Sequence, residues 1–215
     1  MALAKPLVAV AAALVLASAA LAAGPIVRHN AKDQAAAKAA VLKASDLGTG
    51  WSGTVRGVTK PEPLSCPPSF APRQDDLVVT GDVASNFQKQ GVLIGTEVAL
   101  FQTVQMVRND WSRTIGPRVV PCLASVYRKS AVSGEKLVSV RKVPFPRVAP
   151  LVAAYRVSSK VTRQGETVPL ALDLVFIGKG RSEISLQFFY PQQGQAALVA
   201  AEKRIAALVA GRVRG

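Results

Sequence analysis

The sequence predicts an α+β fold: a twisted antiparallel sheet of about six strands packed against helices, in a single domain stapled by one disulfide. Three observations carry that prediction. Alternating or continuous apolar runs separated by turn residues recur between Asp76 and Tyr190. Segments with helical spacing stand at both ends and in the middle of the chain, rather than alternating strand by strand. The 215 residues, 49% hydrophobic and 19% charged, can bury one full core and leave little room for two.

The first residues, Met1 to Lys5, are a short basic start, followed by an uninterrupted small and apolar run from Leu7 to Ala23. That is the outline of a secretory signal peptide over residues 1–22, with Ala20-Leu21-Ala22 as the small-residue cleavage pattern. No Cys follows it, so the exported chain is expected to carry no lipid. An uncleaved anchor is the competing reading, because the run sits at the short end of the roughly 17 to 25 residues that span a bilayer. Either way the domain is expected outside the cytoplasm, with residues 23–29 as a flexible mature terminus and 30–215 as the folded unit.

From Asn30 to Ala44 the chain is rich in strong helix formers, with Asn30 available as cap. Gly48 and Gly50 end that helix, and Trp51 is expected to dock the incoming chain on the core. Between Gly53 and Arg73 five prolines forbid a helix or a central strand, which predicts an extended surface loop containing Cys66. Asp76 to Asn86 and Val92 to Thr103 read as an antiparallel pair, the second apolar on both faces and therefore central. Helices follow over Val104 to Ile115 and Arg118 to Lys129, the second with Val119, Cys122, Leu123, Val126 and Tyr127 on one side. Strands are predicted over 137–143, 151–163, 167–177 and 182–190, the last three forming a meander through the turns at Gln164-Gly165 and Gly178-Lys179-Gly180. Residues 195–212 complete the domain as a helix, with Leu198, Ala201, Ile205 and Leu208 inward and Glu202, Lys203 and Arg204 outward.

An exported chain with two cysteines is most simply read as carrying one disulfide, Cys66 to Cys122. A catalytic thiol is the alternative, but Cys66-Pro67-Pro68 is not a redox pair and no base stands near it. The one histidine, His29, lies beside the expected cleavage site and reads as a solvated tail residue, which disfavours imidazole-based catalysis. No metal site and no cofactor are expected. A carboxylate hydrolase would draw on Asp75, Asp76, Asp82, Glu97, Asp110, Asp173 or Glu183; Asp173 and Glu97 alternate with apolar neighbours and could line a cleft, or pair with arginines.

The charge is the strongest physical signal: 27 Lys+Arg against 13 Asp+Glu, a net +14. Arg141, Lys142, Arg156 and Lys160 fall in neighbouring strand candidates, Arg156 and Lys160 on one face, and are the candidate anion-binding residues. A plain solvated basic face is the other reading. No nucleic-acid motif accompanies the charge, and nucleic acid is not an expected partner.

Ala44-Ser45-Asp46-Leu47-Gly48-Thr49-Gly50-Trp51, Cys66-Pro67, Ala84-Ser85-Asn86-Phe87, Val98-Ala99-Leu100-Phe101 before a helix, and Cys122-Leu123 form a recognisable arrangement. It resembles the extracellular sensor domain of PknH-type bacterial serine/threonine kinases and its stand-alone secreted or lipoprotein relatives. The resemblance implies helices against a twisted antiparallel sheet, disulfides, and a cleft for a ligand; it implies no catalytic residue. Such kinase domains carry two disulfides and follow a kinase and a membrane span, whereas this chain has two cysteines and no kinase. The expected function is therefore an exported, non-enzymatic, monomeric sensor-like module binding an unknown small ligand. The alternative is a basic structural or adhesive protein that contacts anionic envelope polymers or a membrane surface.

Overall fold

The computed structural model describes residues 24–59, 66, 73–193 and 195–214. The expected leader over residues 1–22 and most of the proline-rich loop lie outside the described residues. In chain order the elements are β1 (Ile26–Val27), α1 (Ala31–Ala40), α2 (Ala44–Leu47), β2 (Ser52–Gly57), β3 (Val78–Lys89), β4 (Val92–Phe101), α3 (Val104–Thr114), α4 (Val119–Ser130), β5 (Glu135–Val143), β6 (Leu151–Arg163), β7 (Glu166–Lys179), β8 (Ser182–Pro191) and α5 (Gln195–Arg212).

The architecture is α+β, as predicted, but the sheet has eight strands rather than six. Their order is β1-β3-β4-β8-β7-β6-β5, with β2 also paired to β3. Neighbours run antiparallel except β1 and β3. The two additional strands are β1 and β2, both exposed along their length. Exposed strands have no apolar alternation, so the pattern that announces the others is missing from them. β2 is instead held by backbone fit: a Cβ at Gly53 would overlap the Asn86 carbonyl oxygen and the Phe87 side chain. β1 corrects the expectation of a flexible terminus over residues 23–29, since Ile26 and Arg28 donate their amides to the Leu77 and Val79 carbonyls at 2.8 Å.

Two-residue turns set the register. Gln90 and Gly91 (φ 48° and 80°) join β3 to β4, and Gln164 and Gly165 (φ 52° and 83°) join β6 to β7. Both residues of each turn are left-handed, the conformation that matches the twist of a hairpin.

One face of the sheet carries α1 and α5. Beneath them lies the main core, with Val83, Phe87, Ile94, Val98, Val175, Ile177, Ile184, Leu186 and Phe188 from the strands and Ala37, Val41, Ile205 and Val209 from the helices and their ends. α1 ends four residues before the predicted Ala44 because Val41 and Leu42 leave the helix and drop, fully buried, into that core. The opposite face carries α4 over Tyr155, Val157, Leu172 and Leu174, while α3 lies over β4, β7 and β8. Cys66 is bonded to Cys122 on α4 with a Cα–Cα distance of 5.0 Å, and both are buried beside Val126. Among the described residues, no helix is long and apolar enough to cross a membrane.

Asp33 clamps the first helix to the sheet. Its carboxylate accepts from Arg181 in the β7–β8 turn (2.8 and 3.2 Å), Thr80 on β3 (2.6 Å) and Asn30 (3.1 Å). The Arg181 bond, with the hydroxyl and amide donors, holds its titration down at about 2 although burial opposes this. A carboxyl lowered on folding stabilises the fold fully above its unfolded value and loses that contribution as pH falls through the folded one. Asp33→Asn is therefore expected to cost roughly 2 kcal/mol at neutral pH, with the difference from the parent shrinking between about pH 4 and pH 2, measured by denaturant unfolding. Closing a chain separation of 56 residues, the disulfide is worth up to roughly 4 kcal/mol on the chain-entropy model. Cys66→Ala/Cys122→Ala should lose most of that in the same assay.

Candidate functional site

The register places the charged residues of the strands on defined faces. Arg156 stands directly opposite Asp173, one residue pair in the β6–β7 ladder. Arg156 donates Nε to Asp173 Oδ1 at 2.6 Å and Nη2 to Oδ2, and Tyr190 on β8 donates its hydroxyl to Oδ2 at 2.7 Å. This network lies under α5; it corrects the expectation for Arg156 and bears out the pairing of Asp173 with an arginine. Arg156, 9% exposed and held in a two-pronged ion pair, is not at the rim of an anion site. Asp173 is likewise committed, and it faces α5, whereas Glu97 faces the opposite side of the sheet; the two cannot act as a pair.

Glu202 is a second correction. Predicted to point outward, it is 3% exposed and meets the Asp173 carboxyl and the Tyr190 hydroxyl. Burial, and then the neighbouring Asp173 charge, push its titration up to about 8. A protonated Glu202 can donate to Asp173, which is how a carboxyl is tolerated beside another under an apolar helix. The helix is built largely from alanine, so its sequence offers little contrast between faces, and the true inward stripe is Glu202, Ile205, Ala206, Val209 and Ala210.

The remaining predicted cations divide between the faces. Arg141 is opposite Arg156, and Lys136 is opposite Lys160, so Arg141, Lys136 and Lys160 share the α5 side of β5 and β6. All three are exposed, and none makes a salt bridge among the described residues. Lys142, opposite Tyr155, is on the other face and is also exposed. His29, expected to be solvated, is half-buried, with Nδ1 3.2 Å from the Gln34 amide nitrogen and Nε2 inaccessible and unpartnered.

The most unusual polar grouping is on the face away from α5, on β3, β4 and β8, the last two of which run beneath α3. Ala99 on β4 is flanked by Asp82 on β3 and Glu183 on β8, one on each side in the ladder. Asp82 is 2% exposed and meets the carboxyl of Glu97, diagonal to it on β4. Burial first, and Glu97 second, raise Asp82 to about 8; burial also raises Glu97, against the pull of Arg56 on β2. Glu183 meets Asp110 of α3, and burial with that second carboxyl drives it well above the ordinary range.

The outer wall is the segment before β3. Arg113 on α3 holds Asp76 through two bonds of 2.6 and 2.9 Å, and Gln74 donates to Asp110 at 3.2 Å, as does Thr114 at 3.1 Å. Three buried acceptors here have no hydrogen-bond donor: Asp82 Oδ1, Glu183 Oε1 and Gln74 Oε1. Among the described residues, no group of three or more His, Cys, Asp or Glu side chains is placed to hold a metal ion. The sequence offers all four acids as carboxylate candidates but does not show which of them meet. The signal that could have found this grouping is the Gln90-Gly91 turn, which fixes which β3 and β4 residues share a face.

No family model matches the chain, and no curated protein matches it. Among solved structures, it is similar to an uncharacterised protein of Mycobacterium smegmatis, the Rv0999 ortholog, with 11% identity and a TM-score of 0.42 over 82% of this chain and 98% of that one. It is also similar to PA94 of Pseudomonas aeruginosa, a protein of unknown function, with 12% identity and a TM-score of 0.30 over 75% of this chain and 84% of that one.

Carboxyls whose titration is raised on folding favour the fold fully below their unfolded values and cease to do so as pH climbs through the folded ones. With Asp82 and Glu202 both at about 8, the melting temperature is expected to fall steadily from about pH 4 to about pH 8, and Glu202→Gln should flatten that slope. Stripping Asp173 of its partner by Arg156→Ala should cost about 3 to 5 kcal/mol, because it leaves a buried charge uncompensated. Arg141→Ala and Lys160→Ala, at exposed positions, should each change stability by less than about 0.5 kcal/mol in the same denaturant titrations.

Proposed function

We propose that this chain is an exported, non-enzymatic, sensor-like module that binds a small ligand between its sheet and α3. The observation that carries the reading is the cluster of buried acceptors without donors on the β3–β4–β8 face, at Asp82, Glu183 and Gln74. Buried polar atoms in folded proteins are nearly always paired, and a group of orphans on one surface is what a site looks like before its partner arrives. The leader-like N-terminus, the resemblance to PknH-type sensor domains and the single disulfide that matches one bridge of that pattern support the same reading. So does the fate of the two carboxyls that a hydrolase would need, since Glu97 and Asp173 lie on opposite faces of the sheet.

A second reading, an adhesive basic protein, is favoured by one specific observation. Lys136 and Lys160 are directly opposite one another, and Arg141 lies further along the same exposed face of the sheet; none of the three makes a salt bridge among the described residues. Like charges directly opposite across a ladder are destabilising, so their retention fits a surface that meets anions.

Native mass spectrometry of the protein purified from its producer separates these. The ligand-binding reading expects a non-covalent adduct on the disulfide-bonded chain that persists at high ionic strength. An adduct-free chain that associates with anionic polymers, and releases them steeply as salt rises, would replace it with the adhesive reading.

A further inference from the structure

The two carboxyl pairs flanking Ala99 account for four of the chain's 13 acidic residues, gathered at one place in a protein of net charge +14. One side is Asp82 against Glu97, the other Glu183 against Asp110. Strands β3 and β8 are both neighbours of β4, so Asp82 and Glu183 stand two strand spacings apart, roughly 10 Å at the backbone, with Glu97 on β4 between them. Two cationic side chains act on this grouping from outside it: Arg56 attracts Glu97, and Arg113, bonded to Asp76, also attracts Asp110. Gln74, 8% exposed, presents an unpartnered amide oxygen at the Glu183–Asp110 end, and Asp82, 2% exposed, presents an unpartnered carboxyl oxygen at the other.

A shared proton can hold two carboxyls together, but it does nothing for an amide oxygen, which needs a donor from outside. The grouping therefore asks for positive charge and N–H donors at both ends. We infer that the face formed by Asp82, Glu97, Glu183, Asp110 and Gln74 binds a linear organic dication, with one ammonium or guanidinium group at each carboxyl pair and an apolar stem crossing Ala99. The carboxyl pairs select for charge, the spacing selects for two charged ends over one, and the Gln74 oxygen selects for a donor over a bare ion. Binding exchanges the shared protons for the ligand's charge, so it releases protons to solvent. This inference rests on the ligand-binding reading above and gives it a chemical class.

Cadaverine is the two-ended probe and pentylamine the one-ended control, each titrated calorimetrically into the full exported chain at matched ionic strength. The strongly basic surface elsewhere repels both, which keeps background association low. We expect one saturable cadaverine site, at least about tenfold tighter than pentylamine, that strengthens as pH rises from about 5 to about 8. Proton release should appear as a dependence of the binding heat on buffer ionisation enthalpy. Glu97→Gln and Glu183→Gln, each close to isosteric, should weaken binding at least about tenfold. No saturable binding up to about 10 mM at pH 8, equal affinity for the two probes, or full binding in both variants would overturn the inference. Should the variants fail to fold, the pH dependence and proton release of the parent chain decide the matter alone. A retained adduct in native mass spectrometry with no cadaverine binding would sink the dication and leave the ligand-binding reading standing.

Discussion

The turn at Gln90-Gly91 holds two residues in the left-handed region, and from it the whole register of β3 against β4 follows. The Gln164-Gly165 turn does the same for β6 against β7. A slip of one residue in either hairpin would move every side chain to the opposite face of the sheet. Arg156 would then leave Asp173 unpaired under α5, and Asp82 would abandon Glu97 and enter the apolar core beside Val83 and Phe87. The buried ionic network and the carboxyl grouping are thus consequences of backbone geometry at two glycine-bearing turns.

The electrostatic organisation follows from that register. Cations dominate the surface, while several acids are withdrawn from it: Asp33 under Arg181, Asp173 under Arg156, and Asp82, Glu183 and Glu202 against further carboxyls. The first two are ion pairs with their donors in place. The last three are carboxyls held against like neighbours, where burial favours the protonated form. Paired acids stabilise a fold, but acids crowded together weaken it as they ionise, and such an arrangement persists where it serves a ligand. The same reasoning separates the basic face of β5 and β6, whose Lys136 and Lys160 are free to meet anions, from Arg156, which is not.

Much of the fold could be read from particular residues. Both-face apolarity of Val92 to Phe101 correctly marked β4 as central, and the meander of β6, β7 and β8 followed from its turns. Cys66 and Cys122 were the only cysteines, and they are bonded. What stayed hidden had physical causes. β1 and β2 are exposed, and an exposed edge strand such as Ser52-Gly53-Thr54-Val55 has no core face to leave a pattern. Glu202 was set outward because a carboxylate is normally solvated, and an alanine-rich helix gave no competing signal. Of the site, all four acids were visible as candidates, but only the hairpin register shows that Asp82 belongs with Glu97 and that Asp173 does not.

The central claim is that buried carboxyls are held against one another, on the α3 side of the sheet and under α5, and keep their protons into neutral pH. Carbon-detected NMR of the Asp and Glu side-chain carboxyls from acid to about pH 10 tests it directly. The account predicts that Asp82 and Glu202 titrate near 8, with Glu183 also well above the ordinary range and Asp33 near 2. If Asp82, Glu183 and Glu202 instead all ionise together with the exposed carboxyls below about pH 5, the pairs are not formed and the proposed site has no basis.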